Sequence, residues 1–178
     1  MEAVQRIDGV DVYVEGSGVD AIVMVHGWPD TYRLWDEQVE HLKANYRCVR
    51  FTLPGFDSAM PGRAHSLAAL VATLKRIVEQ TCAGEPVTLL LHDWGCIFGY
   101  EFGLRHPALV RRIIGVDVGD AGSPAHRRAM TLGASAMVLA YQAWLAIAWR
   151  IGGQIGDRMA RAMARWLRCP SDAQFISA

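Results

Sequence analysis

Cysteine is scarce here and its spacing carries no signal. Cys48, Cys82, Cys96 and Cys169 form no C-x-x-C pair, which argues against a disulfide scaffold, a zinc ribbon or a dithiol redox motif. Cys48 and Cys82 lie in or beside apolar stretches and read as reduced core thiols, so a reducing compartment and a cytoplasmic location are expected. Neither sign of charge is in excess. Eighteen Lys and Arg balance eighteen Asp and Glu, and nothing points to nucleic acid or another strongly charged partner. The first six residues lack a basic segment leading into an apolar run, so no signal peptide is predicted. Repeats and low-complexity tracts are missing as well. The last scarcity is local: Ala129 to Trp149 holds no charged residue. That length approaches a bilayer span. Thr131, Gly133, Ser135, Tyr141 and Gln142 interrupt it, so the expectation is a buried or pocket-lining helix, with membrane attachment as the alternative.

What is present is enough for a core: 178 residues, 52% of them hydrophobic, need no covalent staples. Val10 to Glu15 alternates like a strand, Ala21 to Val25 is a fully apolar one, and Arg47 to Leu53 and Val110 to Val116 follow the same pattern. Thr31 to Tyr46 and Ser66 to Cys82 carry apolar stripes at helical spacing. Strands alternating with helices predict an α/β protein, a mostly parallel sheet with helices on both faces. Strand signals cease after Gly122. Residues 1–122 are therefore read as an α/β core and 123–178 as a helical region broken at Gly152-Gly153.

The most telling stretch is Val87 to Gly95. An uncharged strand stops at His92-Asp93-Trp94-Gly95, and Cys96 to Arg105 reads as a helix. So sharp a strand-to-helix elbow leaves its apex residue, Asp93, exposed at the strand's carboxyl end. Ligands bind at that edge of such sheets. The loops His26 to Asp30, Pro54 to Asp57 and Asp117 to Asp120 fall on the same edge. A carboxylate at an elbow can act as a nucleophile that forms an alkyl ester, although a lone Asp at a strand end is also a common helix N-cap.

Together these motifs resemble the α/β-hydrolase superfamily, in particular its Asp-nucleophile branch of epoxide hydrolases and haloalkane dehalogenases. His26-Gly27-Trp28-Pro29 is similar to the H-G-x-P loop of that branch, His92-Asp93-Trp94-Gly95 to the tail of its G-H-D-W-G elbow, and Leu53-Pro54-Gly55-Phe56-Asp57 to its D-x-P-G-x-G-x-S loop with substitutions. The resemblance runs from about Val10 to about Asp120, and the helices beyond look like the start of a cap. It implies Asp93 as nucleophile and the backbone N–H groups of Trp28 and Trp94 as an oxyanion hole. His26, Gly27, Pro29, His92 and Gly95 would be supporting residues. Asp117 would be a triad acid, with Asp120 as second choice and a helix cap or solvated carboxylate as the plainer reading. Tyr141 is the one tyrosine of the cap-like region and the candidate to protonate the departing ring oxygen. No metal or organic cofactor is implied, and the apolar cap suggests a small apolar substrate.

Three features bear on which reaction to expect. Trp28 stands where dehalogenases commonly carry a halide-gripping Asn, which favours epoxides over haloalkanes or haloacids. Leu91 takes the elbow position that is usually small, which predicts strained backbone of about 1–3 kcal/mol. The family's general-base histidine lies near its C-terminus, whereas His26, His41, His65, His92, His106 and His126 all precede or enter the cap. The chain therefore reads as a C-terminally truncated hydrolase that forms an ester and does not turn over, with an unpaired sheet edge. A non-catalytic remnant is the rival of a different class. His26 reads as a loop-fixing residue, Trp144 and Trp149 as helix packing, and Arg158, Arg161 and Arg165 as a solvated face.

Overall fold

A computed structural model describes residues 3–56, 65–118, 124, 128 and 130–167. The expected boundary at Gly122, together with Asp57, Asp120, His126 and Cys169, lies outside the described residues. Six strands build one sheet: β1 (Ala3–Ile7), β2 (Val10–Glu15), β3 (Ala21–Val25), β4 (Arg47–Phe51), β5 (Val87–His92) and β6 (Val110–Val116), in the order β1-β2-β4-β3-β5-β6. β4, β3, β5 and β6 run parallel, while β1 and β2 join antiparallel at one end. No sequence signal predicts the strand β1. Only Ile7 of its five residues is buried, so no alternation of apolar residues marks it.

Every residue of β3 is buried, because helices cover it from both sides. On one face α2 (Leu67–Thr81) and α3 (Trp94–Arg105) enclose a core that includes Val23, Val25, Phe51, Leu74, Ile77, Leu89, Leu91 and Phe102. On the other, Trp35 and Val39 pack on Ile22, Met24 and Cys48. The expected helix over Thr31 to Tyr46 is shorter and divided. A 3-10 turn (Tyr32–Trp35) leads into α1 (Asp36–Leu42), and the Asn45 and Tyr46 N–H groups both donate to the Leu42 carbonyl as the chain turns toward β4. Ser66 caps α2 by accepting from Ala69 N at 3.2 Å, which satisfies one of the orphan donors of the first turn. Cys48, Cys82 and Cys96 are buried free thiols.

The helical region forms a hairpin of α4 (Leu132–Ile151) and α5 (Gly153–Trp166), separated at Gly152. Thr131 caps α4 by accepting from Ala134 N at 3.1 Å. Of the expected buried or pocket-lining helix, the buried reading fails: α4 is long and apolar enough to cross a membrane, yet Leu132, Leu139, Ile147 and Ile151 are exposed and Ala148 is its one buried residue. The stripe that α4 buries is narrow, with half-buried Val138, Tyr141 and Leu145 on one side. Trp144 and Trp149 are exposed rather than packed as core, although the Trp144 indole N–H donates to Met159 O at 2.9 Å and ties α4 to α5.

Candidate active site

Asp93 sits at the turn between β5 and α3 with φ 51° and ψ −123°, a conformation that costs an L-residue about 1–3 kcal/mol and persists only where the surroundings enforce it. It occupies the N-cap position of α3, yet its side chain makes no cap hydrogen bond. The carboxylate is used elsewhere. Trp28 N–H, from the loop after β3, donates to Asp93 Oδ1 at 2.9 Å, and the Trp94 N–H also binds the carboxylate. Two backbone donors from separate segments thus converge on one side chain. Gly27 makes this approach possible, since a Cβ there would stand 2.6 Å from Asp93 Cβ and closer still to Oδ1 and the Trp94 nitrogen. Burial raises the Asp93 pKa above the usual carboxylate value, against the pull of the Trp94 and Trp28 N–H groups.

His26 explains why the Trp28 loop stays in place. Its ring is fully buried, Nε2 accepts from Leu53 N–H at 2.9 Å, and Nδ1 lies 2.9 Å from Gly27 O. With Nε2 an acceptor, Nδ1 carries the proton and donates to Gly27 O. The imidazole therefore stitches the loop after β3 to the loop after β4. Phe56 packs edge-on against it, and burial lowers its pKa to about 4. Pro29 and Asp30 are buried beside it. His92 points Nδ1 toward Asp30 Oδ2 at 3.8 Å, a proximity that the motif spacing did not reveal. Gly95 is buried at the first turn of α3, beneath the carbonyls of Val25 and His26.

Asp117 follows β6 in a left-handed conformation, φ 78°, with its side chain exposed. It is near enough for its charge to push the Asp93 pKa up. From α4, Tyr141 comes within the field of both carboxylates. Burial first, then the charge of Asp93, raises its phenol pKa and keeps it protonated. The site so assembled has a partly buried carboxylate held by two N–H donors, with a protonated phenol within its field. It can deliver a nucleophilic oxygen to an electrophilic carbon and a proton to a leaving oxygen. Among the histidines, both ring nitrogens of His26 are occupied, His41 lies in the last turn of α1, His65 precedes α2, and His106 closes α3 at the end away from Asp93.

A family model described as alpha/beta hydrolase fold matches residues 20–146. The chain is 31% identical over 98 residues to epoxide hydrolase 2 of Caenorhabditis elegans, covering 53% of this chain and 27% of that protein. It is 35% identical over 112 residues to a Mycobacterium tuberculosis protein named "Probable oxidoreductase EphD", covering 60% of this chain and 19% of that one. It thus spans less than a third of the length of these two relatives. An epoxide hydrolase structure from Vigna radiata superposes with a TM-score of 0.57 at 22% identity, over 67% of this chain and 40% of that one, a likeness of fold.

Proposed function

Because the chain belongs to the alpha/beta-hydrolase fold family, we propose that it carries the ester-forming half of an epoxide hydrolase, with Asp93 as nucleophile. The observation that carries this reading is the 2.9 Å hydrogen bond from Trp28 N–H to Asp93 Oδ1, made by a carboxylate that forgoes capping its own helix. Oδ1 is held by that N–H while Oδ2 attacks an epoxide carbon. The ring C–O bond breaks, the departing oxygen takes the Tyr141 proton, and a hydroxyalkyl ester of Asp93 results. Water attack at Cγ would then place negative charge on Oδ1, where the Trp28 N–H already points, with the Trp94 N–H bound to the same carboxylate, so the donors that orient the nucleophile serve as its oxyanion hole. One such donor is typically worth about 3 kcal/mol of barrier. Asp117 fits the acid that orients a general-base histidine. Both ring nitrogens of His26 are engaged and His92 Nδ1 faces Asp30 at 3.8 Å, so neither is aimed at the ester, which is expected to accumulate. The apolar character of α4, which brings Tyr141 to the site, suits a small hydrophobic epoxide, and the C. elegans relative's name agrees with the chemistry.

Intact mass tests this directly. The folded chain, verified by circular dichroism, is incubated with styrene oxide, longer alkyl epoxides and matching alkyl halides. The expected result is a gain equal to one whole epoxide, mapped to Asp93 and absent from Asp93→Asn. Since attack requires the ionised carboxylate and burial raises its pKa, the rate should fall on acidification at a pH above that of an ordinary aspartate. A gain of an alkyl group with halide released would select dehalogenation instead. No adduct from a folded chain would leave the non-catalytic reading standing.

A further inference from the structure

Leu91 is large where such an elbow usually has a small residue, yet the elbow forms, and the compensation is visible across it. Leu91 is fully buried on the face of β5 that meets α3. Opposite it stands Gly99, where a Cβ would lie 2.5 Å from Leu91 Cδ2, 3.0 Å from Cγ and nearer still to Cδ1. Gly99 lies in the interior of a twelve-residue helix, a position at which helix propensity alone favours alanine. The space that the elbow usually leaves on the strand has here been moved to the helix.

We propose that Gly99 is a positioning residue for Asp93: by leaving its volume to Leu91 it sets the depth at which α3 sits on β5, and with it the alignment of Asp93 and Trp94 N–H against Trp28 N–H. Two neighbours in α3 show how closely the helix is seated. Cys96 Sγ lies 3.5 Å from Val116 O, and the Tyr100 hydroxyl donates to Val118 O at 2.9 Å. With those anchors fixed on β6 and the residues just after it, a side chain at position 99 must displace Leu91 or lift the elbow end of α3.

The test uses Leu91→Ala, Gly99→Ala and the double variant, with two readouts. One is the rate of ester formation on Asp93 with styrene oxide, which rests on the reading of Asp93 given above. The other is independent of it: the Trp28 amide-proton resonance against pH, which follows Asp93 ionisation through the 2.9 Å hydrogen bond. Gly99→Ala should lose that titration and slow ester formation about a hundredfold, the scale of a 1 Å misplacement at a reacting centre. Leu91→Ala should keep both properties, and adding Gly99→Ala to it should change neither. If Gly99→Ala does not fold, the comparison within the Leu91→Ala background still decides. Loss of the Trp28 titration on adding Gly99→Ala there would overturn the proposal, as would wild-type behaviour of a folded Gly99→Ala. If the unmodified chain forms no ester, the nucleophile reading falls while the Trp28 resonance continues to judge the Leu91–Gly99 pair.

Discussion

Burial holds the His26 imidazole neutral, with its pKa lowered to about 4, while in the unfolded chain the ring titrates near 6.5. The unfolded state therefore binds a proton that the folded state refuses. The contribution of His26 to stability is complete above about pH 6.5 and is lost as pH falls toward 4, by on the order of 3 kcal/mol at about 1.36 kcal/mol per unit. Chemical denaturation at pH 7.5, 6 and 4.5 should show this fall, and His26→Asn should flatten it while destabilising the chain at neutral pH. An unchanged pH profile in that variant would mean another group drives the acid sensitivity. At this scale the motifs were informative because the chemistry is local. Asp93, Trp28 and Trp94 could be named from two loops. The partner of His26 could not, since Leu53 lies 27 residues away and offers only its backbone N–H.

Arg50 joins three elements and shows which of their contacts matter. Its guanidinium, nearly buried on β4, pairs with Glu15 at the end of β2 at 2.7 Å and with Asp36 at the start of α1. Glu15 is largely shielded, whereas Asp36 is 47% exposed. Removing the arginine strands a shielded carboxylate, with Lys43 no closer to it than 3.9 Å. Removing Asp36 costs only a solvated pair. Arg50→Ala should therefore lower stability by about 3 kcal/mol and Asp36→Ala by less than about 1 kcal/mol, read from urea midpoints at neutral pH. Equal losses would place the energy in α1 packing rather than in the ion pair. Elements with an alternating, striped or continuous apolar pattern were legible in the sequence: β2 through β6, α2 and α3. β1, with one buried residue in five, carries no such pattern and was not legible, and the break between the 3-10 turn and α1 within the striped Tyr32–Leu42 segment was not either, because both are set by the neighbours they meet.

At the scale of the molecule, one end of the sheet and one face of the helical hairpin are apolar and open. β6 pairs only with β5 among the described residues, and Ile113, Ile114 and Val116 on it are 36%, 44% and 49% exposed. On α4, Leu132 and Leu139 are 93% and 66% exposed. The open sheet edge was expected from the resemblance, but overall composition did not announce the exposed helical face. A chain that is 52% hydrophobic with zero net charge reads as an ordinary globule, and an apolar helix reads as buried, whereas among the described residues no layer covers the outer face of α4. The sheet edge is the more hazardous of the two surfaces, because unpaired N–H and C=O groups accompany its exposed side chains and can template a second strand. Zero net charge removes the long-range repulsion that would keep copies apart. The chain should therefore self-associate at micromolar concentration, and the association should persist in high salt, since apolar burial and strand pairing are not screened. Ile114→Lys places a charge on β6 and should shift light scattering and sedimentation toward monomer without altering ester formation at Asp93. Leu139→Lys on α4 should shift them less. If the α4 substitution alone restores the monomer, the helical face rather than the strand edge is the surface through which copies of this chain meet.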